Sequence, residues 1–428
     1  MSKQRYKEKP KRVLKKKAYK SSKKGLKTIR LPIAKEHYDE VIESPEEFRC
    51  VIDDYWTKHE ELFPKDFIQG YTLHSKEYSK KLDFSYRRIK LKTGSTFSIA
   101  PSFVMPYMVG YTSDISMPLL FKKYGAPSWL LTRAFGHNDM YWERIECSLG
   151  RNSIVGTTVK NIENLPQDYA CDEKFSRWAR QRIYVAMTAA KECVFGMSVT
   201  LEETSKAFEK TYGIFVKEAK NLKKSFQVRS VNLDGFHSTR KAWRNLFKNA
   251  VIILCFLHGV LKIKKVAKSN QTLFNPLMDL VWQVYHSETS QDFLDNMELL
   301  REWTQDNVES EKIKERVMKL YNRTFDYEKA YEVSSCHRTS NMIDRQMDAY
   351  DRFIYNRKYY HGHMATTELK ARAWAILHNF VPFCARKKIK PINGQLLYCR
   401  AAQLNGFIYC GNWLENLVCS TSLNGFRC

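Results

Sequence analysis

The sequence predicts an α/β protein with a mixed β-sheet at its centre, an all-helical subdomain inserted after the sheet, and a mainly helical region before it. Three observations support this fold class. Residues 169–255 alternate short apolar runs with amphipathic segments in the order βββαβαβ. Residues 274–331 carry leucines and aromatic residues at helical spacing, with charges between them. Hydrophobic residues make up 43% of the chain, which is enough for a substantial core.

The predicted sheet begins with three successive strands and continues with two strands that each follow a helix. Strands are expected at 169–174, 181–188, 193–200, 226–233 and 250–255, and helices at 202–223 and 238–247. The last strand is almost wholly apolar, which is typical of a parallel strand buried on both faces. This order of elements is the layout of an RNase H-like domain.

The charge of the chain indicates a polyanionic partner. The formal net charge is +25, and a field of that size attracts nucleic acid or an anionic membrane. No apolar run is long enough to span a bilayer, and no apolar signal core follows the first lysines. The eleven cysteines form no CxxC pair, which is typical of reduced thiols in a cytosol. The sequence therefore predicts a cytoplasmic protein that binds nucleic acid rather than lipid.

Six parts are expected along the chain. They are a disordered basic arm (1–40), an N-terminal DNA-binding region (41–165), the first part of the core (166–265), a helical insertion (266–332), the last helices of the core (333–385) and a C-terminal tail (386–428). Residues 1–30 hold fourteen Lys and Arg against one acid. We expect this arm to bind phosphate backbones, although a purely solvating role stays open.

Residues 142–162 have the layout of a helix-turn-helix, with Gly150 in the turn. The second helix would carry short polar and basic side chains that can enter a DNA major groove, namely Arg151, Asn152, Ser153, Thr157, Thr158 and Lys160. Ordinary packing in a three-helix bundle is the alternative, because many helical bundles also have short helices separated by turns that contain glycine.

Two acids are expected to meet in the predicted sheet. Asp172 lies on the first strand, and Asp234 ends the fourth strand beside Gly235. If the fourth strand pairs with the first, the two carboxylates converge, whereas the neighbouring Glu173 points to the opposite face. A third acid from a later helix would complete an oxygen cage, and the candidates are Asp344, Asp348 and Glu368.

Such a cage is suited to Mg²⁺ or Mn²⁺, held through carboxylates, water and substrate phosphates. Two ions about 4 Å apart can activate water or a 3′-hydroxyl and stabilise the leaving oxygen of an in-line displacement. The pattern therefore predicts phosphodiester chemistry, which agrees with the basic charge.

Residues 172–383 resemble the DDE/D transposases with an RNase H-like fold, most closely the bacterial insertion-sequence and Mutator-like group. Three segments carry the resemblance: "ACDEKFSRWARQRIYVAMTA", "LDGFHSTRKAWRNLFKNAVIILCFLHGVLKI" and "RTSNMIDR". The second is the most specific, because Asp-Gly, a helix, an apolar strand and Cys255-x-x-His258 follow one another in the order that the family has.

The resemblance implies cut-and-paste or replicative DNA strand transfer, with Asp172, Asp234 and Asp344 as catalytic ligands of two metal ions. It also implies double-stranded DNA as partner, assembly into dimers or larger complexes on DNA, and a place at the bacterial nucleoid. The third acid in that group is usually Glu, and here it is Asp. A catalytically silent DNA-binding derivative therefore stays open, as does a structure-specific nuclease on the same fold.

Two further groups of residues have more than one interpretation. Cys255 and His258 have ligand-like spacing, but a structural zinc site needs four ligands. We expect a small buried thiol, with the imidazole supporting the active-site loop or contacting DNA. Residues 350–363 mix tyrosines with Arg352, Arg357 and Lys358. Contacts to phosphates and unpaired bases, or a plain buried aromatic stripe, both fit this pattern.

Overall fold

A computed structural model of the chain describes residues 25–427, apart from residues 385, 388, 390, 392 and 393. Within these residues the chain is a mixed α/β structure with one four-stranded and one five-stranded sheet. None of the described helices is both long enough and apolar enough to cross a membrane.

The smaller sheet lies in the N-terminal part. This part contains β1 (Thr28–Leu31), α1 (Lys35–Glu43), α2 (Pro45–Lys58), β2 (Tyr71–Ser79), β3 (Phe84–Leu91) and β4 (Thr96–Pro101). The strand order is β1-β4-β3-β2, with β1 parallel to β4 and the other pairs antiparallel. The hairpin of β3 and β4 turns at Thr93-Gly94, where Gly94 has a φ of +89°. Ser44 caps α2 by accepting a hydrogen bond from the backbone N–H of Glu47.

One prediction for this part is wrong. The disordered arm was expected to reach residue 40, but Ile29 and Leu31 are fully buried in β1 and α1 begins at Lys35. Residues 1–24 lie outside the described residues. The region 41–165 was expected to be mainly helical, and helices do hold more of its residues than strands, but it also supplies three of the four strands of the smaller sheet. β1 has only four residues and three of them in a row are buried, so no alternation in the sequence indicated a strand after the lysine-rich arm.

Four helices follow the smaller sheet: α3 (Thr112–Lys123), α4 (Ser128–Phe135), α5 (Asp139–Leu149) and α6 (Ile154–Thr158). Their buried side chains do not form a core of their own. Trp142 and Leu149 share one hydrophobic cluster with Ala170 and Val185, which belong to the larger sheet. These helices therefore cover one face of that sheet.

The larger sheet has the predicted order of elements. It is built from β5 (Asp168–Trp178), β6 (Gln181–Ala190), β7 (Cys193–Thr200), α7 (Ser205–Leu222), β8 (Ser230–Leu233), α8 (His237–Leu246) and β9 (Val251–Leu254). The strand order is β7-β6-β5-β8-β9, with β6 antiparallel to its neighbours and β8 and β9 parallel to β5. The fourth strand starts at Ser230 rather than 226, because Phe226 and Val228 are buried without strand pairing.

The insertion is helical, as predicted, and it packs on the other face of the sheet. The helices from the end of β9 onward are α9 (Phe256–Ala267), α10 (Gln271–His286), α11 (Ser290–Asn307), α12 (Glu311–Tyr321) and α13 (Thr324–Glu328). Leu277 and Leu300 lie in the same hydrophobic cluster as Phe215 of α7 and Trp243 of α8.

The chain then returns to the first face of the sheet. The last helices are α14 (Asn341–Tyr355), α15 (Met364–Phe380), α16 (Arg400–Asn405) and α17 (Trp413–Ser420). The prediction of a C-terminal tail is wrong, because Leu417 and Val418 are fully buried. The backbone N–H of Arg30 donates to the Ser422 hydroxyl over 2.8 Å, so the two ends of the described chain meet.

Candidate active site

The pairing of β5 with β8 brings two acids to the same level of the sheet. Ala170 of β5 lies opposite Asn232 of β8 in a parallel register. Asp172 comes two residues after Ala170, and Asp234 comes two residues after Asn232, directly after the end of β8. Neighbouring strands lie about 4.8 Å apart, so these two side chains converge beyond the end of β8, as the sequence predicted.

The raised pKa of Asp172 agrees with this convergence. Burial, the charge of Asp234 and the charge of Asp344 together raise the pKa of Asp172 to about 7, although the backbone N–H of Glu173 donates to its Oδ1 over 2.8 Å. Burial is the largest cause of this rise, and each of the two neighbouring carboxylates raises the pKa by more than His258 lowers it. The site is therefore a concentration of acids that a cation would neutralise.

The segment before α14 is fixed to the ends of β8 and β9. The Asn232 side chain donates to the backbone oxygen of His337 over 2.8 Å. The backbone N–H of Phe256 contacts the Arg338 oxygen at 3.5 Å. These contacts hold the start of α14 at the carboxyl edge of the parallel strands.

A hydrogen-bonded chain then positions the third acid. The backbone N–H of Ser340 donates to the Cys255 sulfur over 3.2 Å, and its hydroxyl lies 3.1 Å from the same sulfur. That hydroxyl donates to Oδ2 of Asp344 over 2.8 Å. Asp344 lies in the first turn of α14, and these hydrogen bonds connect its carboxylate through Ser340 to Cys255, the residue that follows β9.

Cys255 and His258 support this arrangement. The thiol is buried, which opposes its ionisation, but hydrogen bonds with His258 and Ser340 lower its pKa. The hydrogen bond with Cys255 is the largest influence on His258, and with the charges of Asp344 and Asp234 it raises the imidazole pKa to about 9. His258 therefore carries positive charge toward two of the acids.

Glu173 belongs to a different environment, as predicted. Its Oε1 accepts hydrogen bonds from Tyr212 of α7 and from Thr239 of α8, the latter over 2.6 Å. Burial raises its pKa to about 8. On the opposite face of β5, Lys174 pairs with Asp351 of α14, so Asp172 is on the α14 side and Glu173 is on the α7 side.

The structure separates the three candidates for the third acid. Asp344 is the one described above, and its charge acts on Asp172. Asp348 is exposed one turn further along α14. Glu368 is half-buried against β7, where its Oε2 accepts from the Val199 backbone over 2.9 Å, and loss of solvent around the carboxyl raises its pKa. The alternative assignment to Glu368 is wrong because this side chain lies in another part of the fold.

The donor set suits a divalent cation that prefers oxygen. Three carboxylates are the ligand type that Mg²⁺ and Mn²⁺ favour. One oxygen of each is oriented by the chain: Asp172 by Glu173, Asp344 by Ser340, and Asp234 by the N–H of Phe236 over 2.8 Å. Within the described residues no three His, Cys, Asp or Glu side chains are already closed to coordinating distance.

The prediction that α6 reads DNA is wrong. The helix has five residues, and its predicted base-reading side chains are buried, namely Asn152, Ser153, Thr157 and Thr158. Ser153 donates to Glu218 of α7 over 3.0 Å, and Arg372 of α15 donates to the backbone oxygen of Asn152 over 2.7 Å. A Cβ atom on Gly156 would stand 1.9 Å from the Gly425 oxygen. Close packing on every side leaves no face of α6 for a groove.

The remaining predicted DNA contacts have different outcomes. Arg151 is exposed and stacks on Tyr107, while Lys160 is half-buried and burial lowers its pKa to about 8. Arg357 is paired with the buried Glu146 at 2.8 Å, so the prediction that it contacts phosphate is wrong. Arg352 and Lys358 are exposed, and their contact with DNA stays a prediction.

Sequence reasoning missed two residues of the site. Asn232 is a buried amide in an otherwise apolar strand, and Ser340 stands within the "RTSN" segment before α14. A polar residue inside a buried strand is a usable signal, because it needs a hydrogen-bond partner from outside the sheet.

No family model matches this chain, and no curated protein is significantly similar to it. The function is therefore inferred from the arrangement of the acids, the sheet that carries them and the charge of the molecule.

Proposed function

We propose that this protein is a metal-dependent DNA transposase of the RNase H-like DDE/D type, which cleaves and transfers strands at the ends of a mobile element. The convergence of Asp172, Asp234 and Asp344 carries this proposal. The strand order β7-β6-β5-β8-β9 with an antiparallel β6 supports it, because this is the sheet expected of an RNase H-like domain. The helices inserted between β9 and α14 support it further.

The three carboxylates would hold Mg²⁺ or Mn²⁺, with two ions expected for this chemistry. Such ions, when bound, activate water or a 3′-hydroxyl and stabilise the departing oxygen. The chain contributes the orientation of its ligands: Ser340 fixes Asp344, and the register of β5 with β8 fixes Asp172 against Asp234. His258 adds a positive charge beside the acids, where a phosphate would arrive.

The proposed partner is double-stranded DNA, both the element ends and the target. The net charge of +25 favours contact with phosphates independently of sequence. Transfer of two ends requires that both be held together, so we expect a homo-oligomer on DNA. The proposed setting is the bacterial cytoplasm, at the nucleoid.

The test is cleavage of a supercoiled plasmid that carries the DNA flanking the protein's own gene, with Mg²⁺ or Mn²⁺. We expect nicked and strand-transferred products from the wild-type protein. Asp344→Asn should lose at least about 10³-fold in rate, which corresponds to roughly 4 kcal/mol of transition-state stabilisation. Asp348→Asn is the matched control from the same helix and should cleave normally.

A second readout is independent of turnover. Adding Mg²⁺ in place of EDTA should raise the thermal midpoint of the wild-type protein, because an ion that binds only the folded state stabilises it. Asp344→Asn should lose most of that rise, and Asp348→Asn should keep it.

Three results would redirect the proposal. DNA binding with no metal-dependent cleavage would favour the catalytically silent derivative, which the Asp in place of Glu at the third position suggests. Cleavage of branched DNA without strand transfer would favour a structure-specific nuclease. Equal activity in Asp344→Asn and the wild-type protein would remove Asp344 from the site.

A further inference from the structure

A cleft of about 670 Å³ lies at the tip of the β5–β6 hairpin, apart from the three acids. Its walls are the end of β5, the turn, the start of β6 and the loop after α14. The side chains that matter below are Phe175, Arg177, Arg180, Arg182, Lys358 and Tyr359. The volume is in the range of sites for small ligands.

The cleft concentrates positive charge that the protein does not neutralise. Arg177, Arg180, Arg182 and Lys358 are all exposed, and none forms an ion pair with a carboxylate of the described residues. By contrast the nearby Lys174 is paired with Asp351. Four unpaired cations around one cleft attract a ligand with more than one negative charge.

Aromatic rings stand among these cations. The Phe175 ring is 60% exposed although it sits on a β-strand, and the Arg182 guanidinium lies 5.1 Å from its centroid. The Arg177 guanidinium lies 5.3 Å from the centroid of Tyr359. Alternating guanidinium and aromatic planes offer a planar ligand both stacking and charge.

The two walls of the cleft are tied to each other. The backbone N–H of Ala179 donates to the Tyr360 oxygen over 3.2 Å, and that of Tyr360 donates to the Arg177 oxygen over 3.0 Å. The Trp178 indole donates to the oxygen of Gly362 over 3.0 Å. A cleft with fixed walls loses little conformational entropy when a ligand binds.

We propose that this cleft binds a nucleotide of single-stranded DNA, with its phosphates at the four cations and its base against the exposed ring of Phe175. Only an unpaired base exposes a face for such stacking. The inference rests on the proposed function for its substrate class, because strand cleavage creates unpaired ends. Phe175 is on the opposite face of β5 from Asp172 and about 10 Å along the strand, so the cleft is a site separate from the three acids.

The test is the affinity for a fluorescent oligothymidine of 15 residues and for a blunt duplex of equal length, measured by anisotropy in EDTA. Phe175→Ala should weaken binding of the single strand about tenfold and leave the duplex nearly unchanged, because loss of one stacking contact has about that effect. Phe325→Ala removes another exposed ring, on α13, and is the matched control. It should change neither affinity.

A second variant tests the cations. Arg182→Gln should weaken binding of both DNA forms and reduce the salt slope for the single strand by about 0.7. Unchanged single-strand affinity in Phe175→Ala would overturn the proposal and leave a plain phosphate-binding surface. Equal weakening for both DNA forms in Phe175→Ala would overturn it as well.

The two proposals fail separately. The binding assay contains no metal, so Asp344→Asn should bind the oligothymidine as the wild-type protein does. Absence of cleavage by the wild-type protein, together with a retained Phe175→Ala effect, would reject the transposase and keep the nucleotide cleft. Normal cleavage by Phe175→Ala, together with unchanged binding of the oligothymidine, would keep the transposase and reject the nucleotide cleft.

Discussion

Two groups of partly or fully buried acids in this protein have opposite electrostatic environments. Glu146 of α5 is fully buried and contacts Lys122 at 3.3 Å and Arg357 at 2.8 Å. Its neighbour Glu143 is also partly buried, yet the charges of Lys122 and Lys370 hold its pKa well below the usual range. At the end of β8, burial and the surrounding carboxylates instead raise the pKa of Asp172 to about 7.

This difference distinguishes acids that stabilise the fold from acids that are candidates for catalysis. The acids that pair with basic side chains hold helices α3, α5 and α15 together, and their negative charge is balanced by those side chains without a bound ion. Acids that are buried together repel one another, which lowers the free energy of unfolding unless a cation arrives. A cluster of the second kind at the edge of a parallel sheet is a candidate catalytic site.

The largest expected effect is on activity. Asp172→Asn should reduce metal-dependent DNA cleavage by at least about 10³-fold, because it removes a ligand charge from the site. The same change should not lower the free energy of unfolding in EDTA at pH 8, since it relieves repulsion. Plasmid nicking and urea denaturation measure the two quantities. If Asp172→Asn cleaved DNA normally, Asp172 would have no catalytic role and the two groups of acids would not differ in function.

The next largest effect is on stability. Glu146→Gln should lower the free energy of unfolding by roughly 3–5 kcal/mol, because it leaves Arg357 without its buried partner and Lys122 with Glu143 alone. Urea denaturation measures the loss. Glu192→Gln removes an exposed partner of Arg345 and serves as control, with an expected change of at most about 1 kcal/mol. Similar losses in both variants would mean that burial does not strengthen the Glu146 contacts.

The dependence of stability on pH should have opposite signs in the two groups. The folded pKa of Asp172 lies above its ordinary value of 3.8, so the folded state binds more protons between pH 4 and 7. Its contribution to the free energy of unfolding therefore falls as pH rises through that window. The folded pKa of Glu143 lies below its ordinary value of 4.5, so its contribution is complete above that pH and is lost below it.

Urea denaturation in EDTA across pH 3–8 tests this contrast with Asp172→Asn and Glu143→Gln. The first variant should flatten the decline between pH 4 and 7, by an amount of about 1–3 kcal/mol. The second should flatten the loss of stability below about pH 4.5. Identical pH profiles for all three proteins would show that neither group titrates as described.

The smallest expected effect concerns the residue that orients the third acid. Ser340→Ala removes a hydroxyl that contacts both Asp344 and Cys255, so cleavage should fall about fivefold, equivalent to roughly 1 kcal/mol. Ser335→Ala is the control from the same linking segment, where the hydroxyl donates to Asp168 instead. If both variants lose the same activity, the effect is on the segment and not on Asp344.

The prediction from sequence succeeded where local pattern and strand pairing agree. The strands β6 and β7 begin where the apolar alternation predicted, and Asp172 and Asp234 meet because a parallel register is set by the buried faces of β5 and β8. It failed for the segment that leads into α6, where Asn152 and Ser153 have the composition of a DNA-reading helix. Their partners Arg372 and Glu218 are distant in sequence, and no local pattern indicates that contact.

The sequence by itself determined the order of the sheet elements, the helical insertion and the positive charge, since these depend on periodicity and composition along the chain. Only the tertiary structure decided which of Asp344, Asp348 and Glu368 joins the other acids. It also decided that the final residues are buried and that the basic cleft forms between β5 and the loop after α14. These outcomes depend on contacts between segments far apart in the chain, which are fixed by packing and not by neighbouring residues.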